Sequence, residues 1–235
     1  MSLTDIRLTR TVGQLAPSTF GAGGAEPYAA ALQSESNVLY LHSVNAERAA
    51  GMAPMDAGRW SAAADATDHS LLEGAVGPVL DIGCGPGRMV RAAMDRGLFA
   101  IGVDVSPTAV GIALAAGLTV LNRSVFEQIP LEGAWGTLLL VDGNIGIGGD
   151  PETLLRRCVA MLGRDGELIV EVSGDPAHET SYEGTVEDSH GRRSNSFPWA
   201  EIGVDALRVR ADAAGLVVTQ AWMLDGRSFA RLARR

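Results

Sequence analysis

Val79-Leu80-Asp81-Ile82-Gly83-Cys84-Gly85-Pro86-Gly87-Arg88 joins a short apolar run to a glycine-rich loop and the start of a helical pattern. The run from Pro78 to Asp81 reads as a buried strand that ends on an acid. Glycines alternate through the loop, and Arg88 to Met94 opens a helix. A strand–loop–helix unit of this kind points backbone N–H groups and a helix N-terminus at a ligand. Glycine is required where such a backbone turns and where the ligand comes close to it. The spacing is G-x-G-x-G, because position 88 is Arg, and so departs from the G-x-G-x-x-G of dinucleotide sites. A second apolar run, Ala100-Ile101-Gly102-Val103-Asp104, also ends on an acid, at the distance where a ribose diol needs a carboxylate. A tight turn in an ordinary α/β domain would leave that second acid unexplained.

Working outward from Gly77, strand and helix patterns alternate, which predicts a mostly parallel sheet with helices on both faces. Helices are expected over Arg88 to Gly97, Pro107 to Ala116, Pro151 to Leu162 and Val204 to Ala214. Ser106-Pro107 opens the second of these and Gly215 closes the last. Strands are expected at Leu118 to Leu121, at the continuous apolar run Trp135 to Val141, and at Glu167 to Val172. Leu216 to Leu224 and Arg227 to Leu232 flank Asp225-Gly226, a hairpin signal that makes the last strand antiparallel. Before Gly77 the pattern is weaker. Met1 to Gly24 reads as a tail, Glu26 to Leu32 as a short helix, and Arg59 to Leu72 as a helix with Trp60 on one face. Residues 1–76 are therefore expected to form a tail and helical cap, and residues 77–235 the catalytic domain. The cap admits two readings, a lid with Tyr28 reaching the ligand or a helical layer packed on the sheet for stability.

The pattern Asp81-x-Gly83-x-Gly85-x-Gly87 with Asp104 resembles the cofactor site of class I S-adenosylmethionine (SAM) dependent methyltransferases. The likeness runs in order through Trp135 to Gly148 and Leu162 to Leu168 to the C-terminal strands. Ser124-Val125-Phe126 and Asp142 to Pro151 are similar to an actinobacterial-looking, uncharacterised group within it. The resemblance implies a Rossmann-like, doubly wound, mostly parallel seven-stranded sheet. It also implies SAM as cofactor, with Asp81, Gly83, Gly85 and Gly87 at its amino-acid end and Asp104 on the ribose. Val105 would lie on the adenine. The family's usual acid after the third strand is missing, so Ser124, the backbone of Val125 and the ring of Phe126 are the substitutes. Asp142 and Asn144 follow the fourth strand, the edge nearest the transferable methyl, and a turn stabilised by their own side chains is an equal reading.

The reaction implied is in-line displacement of the methyl from sulfur by an O- or N-nucleophile. A general base is needed only if that nucleophile arrives protonated. His178 and His190, in the polar stretch from Gly174 to Ile202, are the candidates, and a solvated loop has the same composition. No close pair of Cys or His ligands supports a metal site.

Composition narrows the partners. The net charge of −9 and the lack of a basic run disfavour nucleic acid. No apolar run reaches the roughly 18 residues of a membrane span, and two unspaced cysteines suit a reducing cytoplasm. The chain contains no lysine, which excludes Schiff-base chemistry. A small soluble acceptor is therefore expected, with the protein a monomer or homodimer. Two other classes stay open: a catalytically silent SAM-binding scaffold, and a nicotinamide-dependent oxidoreductase, which the glycine spacing and the terminal hairpin disfavour.

Overall fold

The computed structural model describes residues 19–34, 38–44 and 52–235. In chain order it forms α1 (Pro27–Leu32), β1 (Val38–Ser43), β2 (Met52–Asp56), α2 (Ala57–Ser61), α3 (Ala66–Leu71), β3 (Val79–Ile82), α4 (Arg88–Asp95), β4 (Ala100–Asp104), α5 (Pro107–Ala115) and β5 (Val120–Asn122). Then follow β6 (Trp135–Leu140), α6 (Pro151–Met161), β7 (Leu162–Val172), β8 (Glu179–Asp188), β9 (Phe197–Ile202), α7 (Val204–Ala214), β10 (Leu216–Leu224) and β11 (Arg227–Arg234).

The large sheet has seven strands in the order β10-β11-β7-β6-β3-β4-β5. Strands β3 to β7 pair in parallel, and β11 joins β7 antiparallel. This is the mostly parallel, Rossmann-like sheet that the alternating pattern predicts. Its strands are buried on both faces by two apolar clusters, one around Leu80, Leu138 and Val170, the other around Val79, Leu139 and Ile169. Successive residues of one strand serve opposite clusters, as the period of two requires. Asp225 and Gly226 both have positive φ, 50° and 77°, so the hairpin closes through the left-handed turn that the pair Asp-Gly favours. Order reverses at β3, whose neighbours are β6 and β4, and crevices form at the carboxyl ends of strands at such a point.

The cap differs from the sequence expectation. It is not helical alone: β1 and β2 pair antiparallel, and β1 also pairs with β8 of the polar stretch, giving a second sheet in the order β2-β1-β8-β9. The single helix expected from Arg59 to Leu72 is broken into α2 and α3, because Asp65 starts a new helix with a reciprocal capping box to Asp68. The expected tail lies mostly outside the described residues; from Thr19 it turns into the protein, and Phe20 meets the rings of Tyr28, Trp60, Phe197 and Trp199 at centroid distances of 5.3–6.2 Å. No helix among the described residues is long and apolar enough to cross a membrane.

Candidate active site

A cavity of about 180 Å³, space on the order of a dozen waters, opens where the carboxyl ends of β3, β4 and β6 face the second sheet. Its floor is the loop after β3. Gly83 and Gly85 have φ of 71° and 53°, and an added Cβ would lie 2.7 Å from the Asn144 amide and 3.2 Å from Tyr28 Oη. Both positions line the cavity, so a side chain would fill the cradle. Gly87 does not line it. Its φ of 93° starts α4, and a Cβ there would strike Leu118, so this glycine serves helix packing rather than the ligand approach expected of it.

Three carboxylates face the cavity, each in a different state. Asp81 is 3% exposed and receives no hydrogen bond from the described residues; burial pushes its carboxyl up to about 7, against the pull of Arg88. Asp104 accepts the Gly85 N–H at 2.8 Å on one oxygen and the Ser106 N–H at 2.8 Å on the other, while burial raises its pKa. Those two bonds fix the glycine loop to the end of β4 and leave further lone pairs for a diol. Asp142, at φ 57°, binds both Arg88 and Arg227, and its own N–H donates to Glu171 at 2.7 Å.

Asp142 thus belongs to a buried ion cluster that sequence reasoning missed. Arg88 joins Asp68 to Asp142; Arg227 bonds Asp68 at 2.9 Å and Glu171 at 2.7 Å and 2.8 Å. Asp68 comes from the cap, Arg88 from the start of α4, Glu171 from β7 and Arg227 from β11. Burial opposes the charge on Asp68, but the hydrogen bonds of Arg88 and Arg227 prevail and hold its carboxyl at about 2. The residues are too far apart in the chain for spacing to reveal the cluster. Asn144 is also structural at its donor end: Nδ2 donates to the carbonyls of Ile82 at 2.8 Å and Gly83 at 3.0 Å, pinning the loop after β6 onto the glycine loop.

Val105, Ser124, Val125 and Phe126 line one end of the cavity, with Arg123 beside them. The cap adds Phe20, Tyr28, Met55 and Trp60, the loop after β6 adds Ile147, and β9 adds Pro198 and Trp199. Phe197 completes the aromatic cluster behind them; its ring centroid is 5.9 Å from that of Trp199. Tyr28 is buried, and burial, then the nearby Asp104, raises its hydroxyl pKa well above the ordinary value, so it stays protonated. The loop after β6 must be glycine here, since a Cβ at Gly146 would collide with Ala200 and the Trp199 ring.

The residues matching a family model described as a methyltransferase domain are 80–170, from the middle of β3 almost to the end of β7. That match spans less than half of the chain. The chain's fold is that of solved class I methyltransferases. A SAM-dependent methyltransferase from Bacteroides fragilis, solved with S-adenosylhomocysteine (SAH), is 17% identical and superposes with a TM-score of 0.74 over 92% of this chain and 98% of that one. The CcbJ methyltransferase from Streptomyces caelestis gives 0.56 at 13% identity, over 74% and 92%. The 1,6-didemethyltoxoflavin-N1-methyltransferase of Burkholderia thailandensis gives 0.53 at 19%, over 72% and 77%. No curated protein matches the chain. The open glycine cradle, the carboxylate of Asp81 with no hydrogen bond among the described residues, and the carboxylate of Asp104 give this cavity groups that suit a carboxylate, an ammonium and a diol.

The two expected histidines do not line the cavity. His178 precedes β8, with Nε2 3.3 Å from Glu201, and His190 is exposed near the tip of the β8–β9 hairpin, where its N–H donates to Asp188. The polar stretch folds as two strands, and only Pro198 and Trp199 of it line the cavity. Both histidines are thereby set aside as the general base.

Proposed function

We propose that the protein moves a methyl group from SAM to an O- or N-nucleophile of a small soluble molecule by in-line displacement. One observation carries this reading: the large sheet contributes the cradle and three carboxylates to the cavity, and the cap and second sheet contribute aromatic rings with no charged side chain among the described lining residues. A polar, cationic donor suits the first and an apolar acceptor the second.

In this reading Asp81 balances the donor's ammonium, and the backbone from Ile82 to Gly85 holds its carboxylate. Asp104 accepts from the ribose hydroxyls. Val105, Val125 and Phe126 pack the adenine, and Ser124 stands near its edge. SAM supplies an already activated methyl, so the protein's task is to align and desolvate the pair. Residues 1–76 act as a cap that shapes the acceptor side, and Tyr28 closes over Gly85. The protein works in the cytoplasm, without nucleic acid or membrane as partner. Support for a small acceptor comes from the buried wall, the acidic balance of the chain, and the small-molecule substrate named for the Burkholderia protein of the same fold. The experiment is calorimetry with SAM, SAH and NADH, followed by transfer of labelled methyl into small hydroxy, amino and carboxy compounds, with RNA and DNA beside them. SAM and SAH should bind and NADH should not. Methylation confined to the nucleic acids would overturn the small-molecule reading.

A further inference from the structure

Among the described residues, those that the cap and the second sheet contribute to the cavity include no group able to take a proton at neutral pH. Phe20, Met55, Trp60, Ile147, Pro198 and Trp199 have no titratable side chain, and the phenol of Tyr28 is held protonated by burial. All four histidines, His42, His69, His178 and His190, are at described positions, and none lines the cavity. The chain has no lysine. Residues 1–18, 35–37 and 45–51, outside the described set, contain no His, Lys, Cys or Tyr, and their acids are Asp5, Glu35 and Glu47. Cys84 lines the cavity, but its thiol is buried, packed against Gly102, and burial drives its pKa well up. Of the carboxylates, Asp104 and Asp142 are occupied by backbone N–H groups and by arginines. Asp81 lies under the cradle on the donor side.

An alcohol, a phenol, a thiol or a protonated alkylamine needs such a base before it can attack. A carboxylate needs none, but it would enter beside three acids with no cation among the described residues that the cap and the second sheet contribute, and like charges there are repelled. What fits is a neutral lone pair. The wall also has a shape: Phe20 stands edge-on to Tyr28 and to Trp60, at 80° and 77°, so faces and edges of several rings meet one space. Planar rings bind such surroundings by stacking and edge contacts.

Resting on the donor assignment above, we propose that the acceptor is an uncharged nitrogen heterocycle whose ring nitrogen attacks without a protein base. The nitrogen lone pair forms the new N–C bond while the S–C bond breaks and its electron pair stays on sulfur. The positive charge moves from sulfur to the ring. The faces of Trp60 and Trp199 and the carboxylates across the cavity favour that cation. If the nitrogen carries a hydrogen, the proton leaves to water after transfer.

The test uses the full chain loaded with SAH and three matched bicyclic probes, quinoline, 2-naphthol and 2-naphthoate, with binding read by tryptophan fluorescence and calorimetry. Quinoline should bind about tenfold or more tighter than 2-naphthoate, with an affinity flat between about pH 7 and 9, where quinoline does not titrate. Trp60→Ala and, separately, Trp199→Ala should each weaken quinoline about tenfold, while SAH affinity measured in the same samples certifies the fold. With labelled SAM, quinoline should be methylated and 2-naphthol should not. Preference for the naphthoate, quinoline affinity unmoved in both variants, or methylation of 2-naphthol with quinoline inert would overturn the proposal. If SAH itself fails to bind the wild type, the donor assignment falls first, a result distinct from failure of the acceptor class.

Discussion

Replacing Asp68 by Asn tests whether the buried ion cluster holds the cap to the seven-stranded sheet. The change keeps the shape and removes one charge between Arg88 and Arg227. Asp68 is 1% exposed and the Arg88 side chain 3%, so solvent cannot screen what remains. The Asp68 carboxyl falls from 3.8 to about 2 on folding, which at roughly 1.4 kcal/mol per pK unit is worth on the order of 2.5 kcal/mol. Breaking a buried pair costs about 3–5 kcal/mol, since the partner cation stays behind. We therefore expect a loss of about 3 kcal/mol in urea unfolding at pH 7. Asp65→Asn removes an exposed charge beside Arg59 while keeping a side-chain oxygen that can cap α3, and should cost about 1 kcal/mol or less. The sign with pH follows from a depressed folded pKa. The contribution is full above the unfolded value near 4 and disappears as pH falls through about 2, so wild type and variant should converge on acidification. A loss below about 1 kcal/mol at pH 7, or a gap that widens in acid, would refute the reasoning.

Asp104→Ala should weaken SAH by about 1.5–3 kcal/mol for each charged hydrogen bond lost; unchanged calorimetric affinity in a folded variant removes Asp104 from the site. Gly85→Val should bind SAH more weakly still, because the position has φ 53° and a Cβ would crowd Tyr28 Oη. Asp81, raised to about 7, should ionise when a ligand ammonium arrives, so SAH binding should release close to one proton per site near pH 6 and about half a proton near pH 7. Calorimetry in buffers of different ionisation enthalpy measures this, and proton uptake would contradict the assignment.

The seven-stranded sheet was legible because its signals are local. Glycines needing positive φ, strand-end acids and the Asp225-Gly226 turn each show their geometry within a few residues. The cap was not, because what organises it is pairing across long sequence separations. Leu39 of β1 lies opposite Asp188 of β8, and Phe20, Trp60 and Trp199 meet only once both sheets exist. The polar stretch read as an open loop with two histidines because alternation in β8 gives it one exposed face; the other carries Gly184, Val186 and Asp188 against β1 and β9. This has a consequence for the boundary expected at Gly77. Strand β8 lies between β1 and β9, so a chain that starts at Gly77 leaves one edge of β8 unpaired and uncovers Val186, Phe197 and Trp199, all at most 5% exposed in the intact protein. An unpaired apolar edge is a template for aggregation. It would also lose Asp68, leaving Arg88 and Arg227 to share Asp142. Residues 77–235 expressed alone should therefore aggregate in size-exclusion chromatography and lose SAH binding in calorimetry. A soluble monomer with native SAH affinity would show that residues 1–76 form a separable lid and that the second sheet is not needed to hold the site.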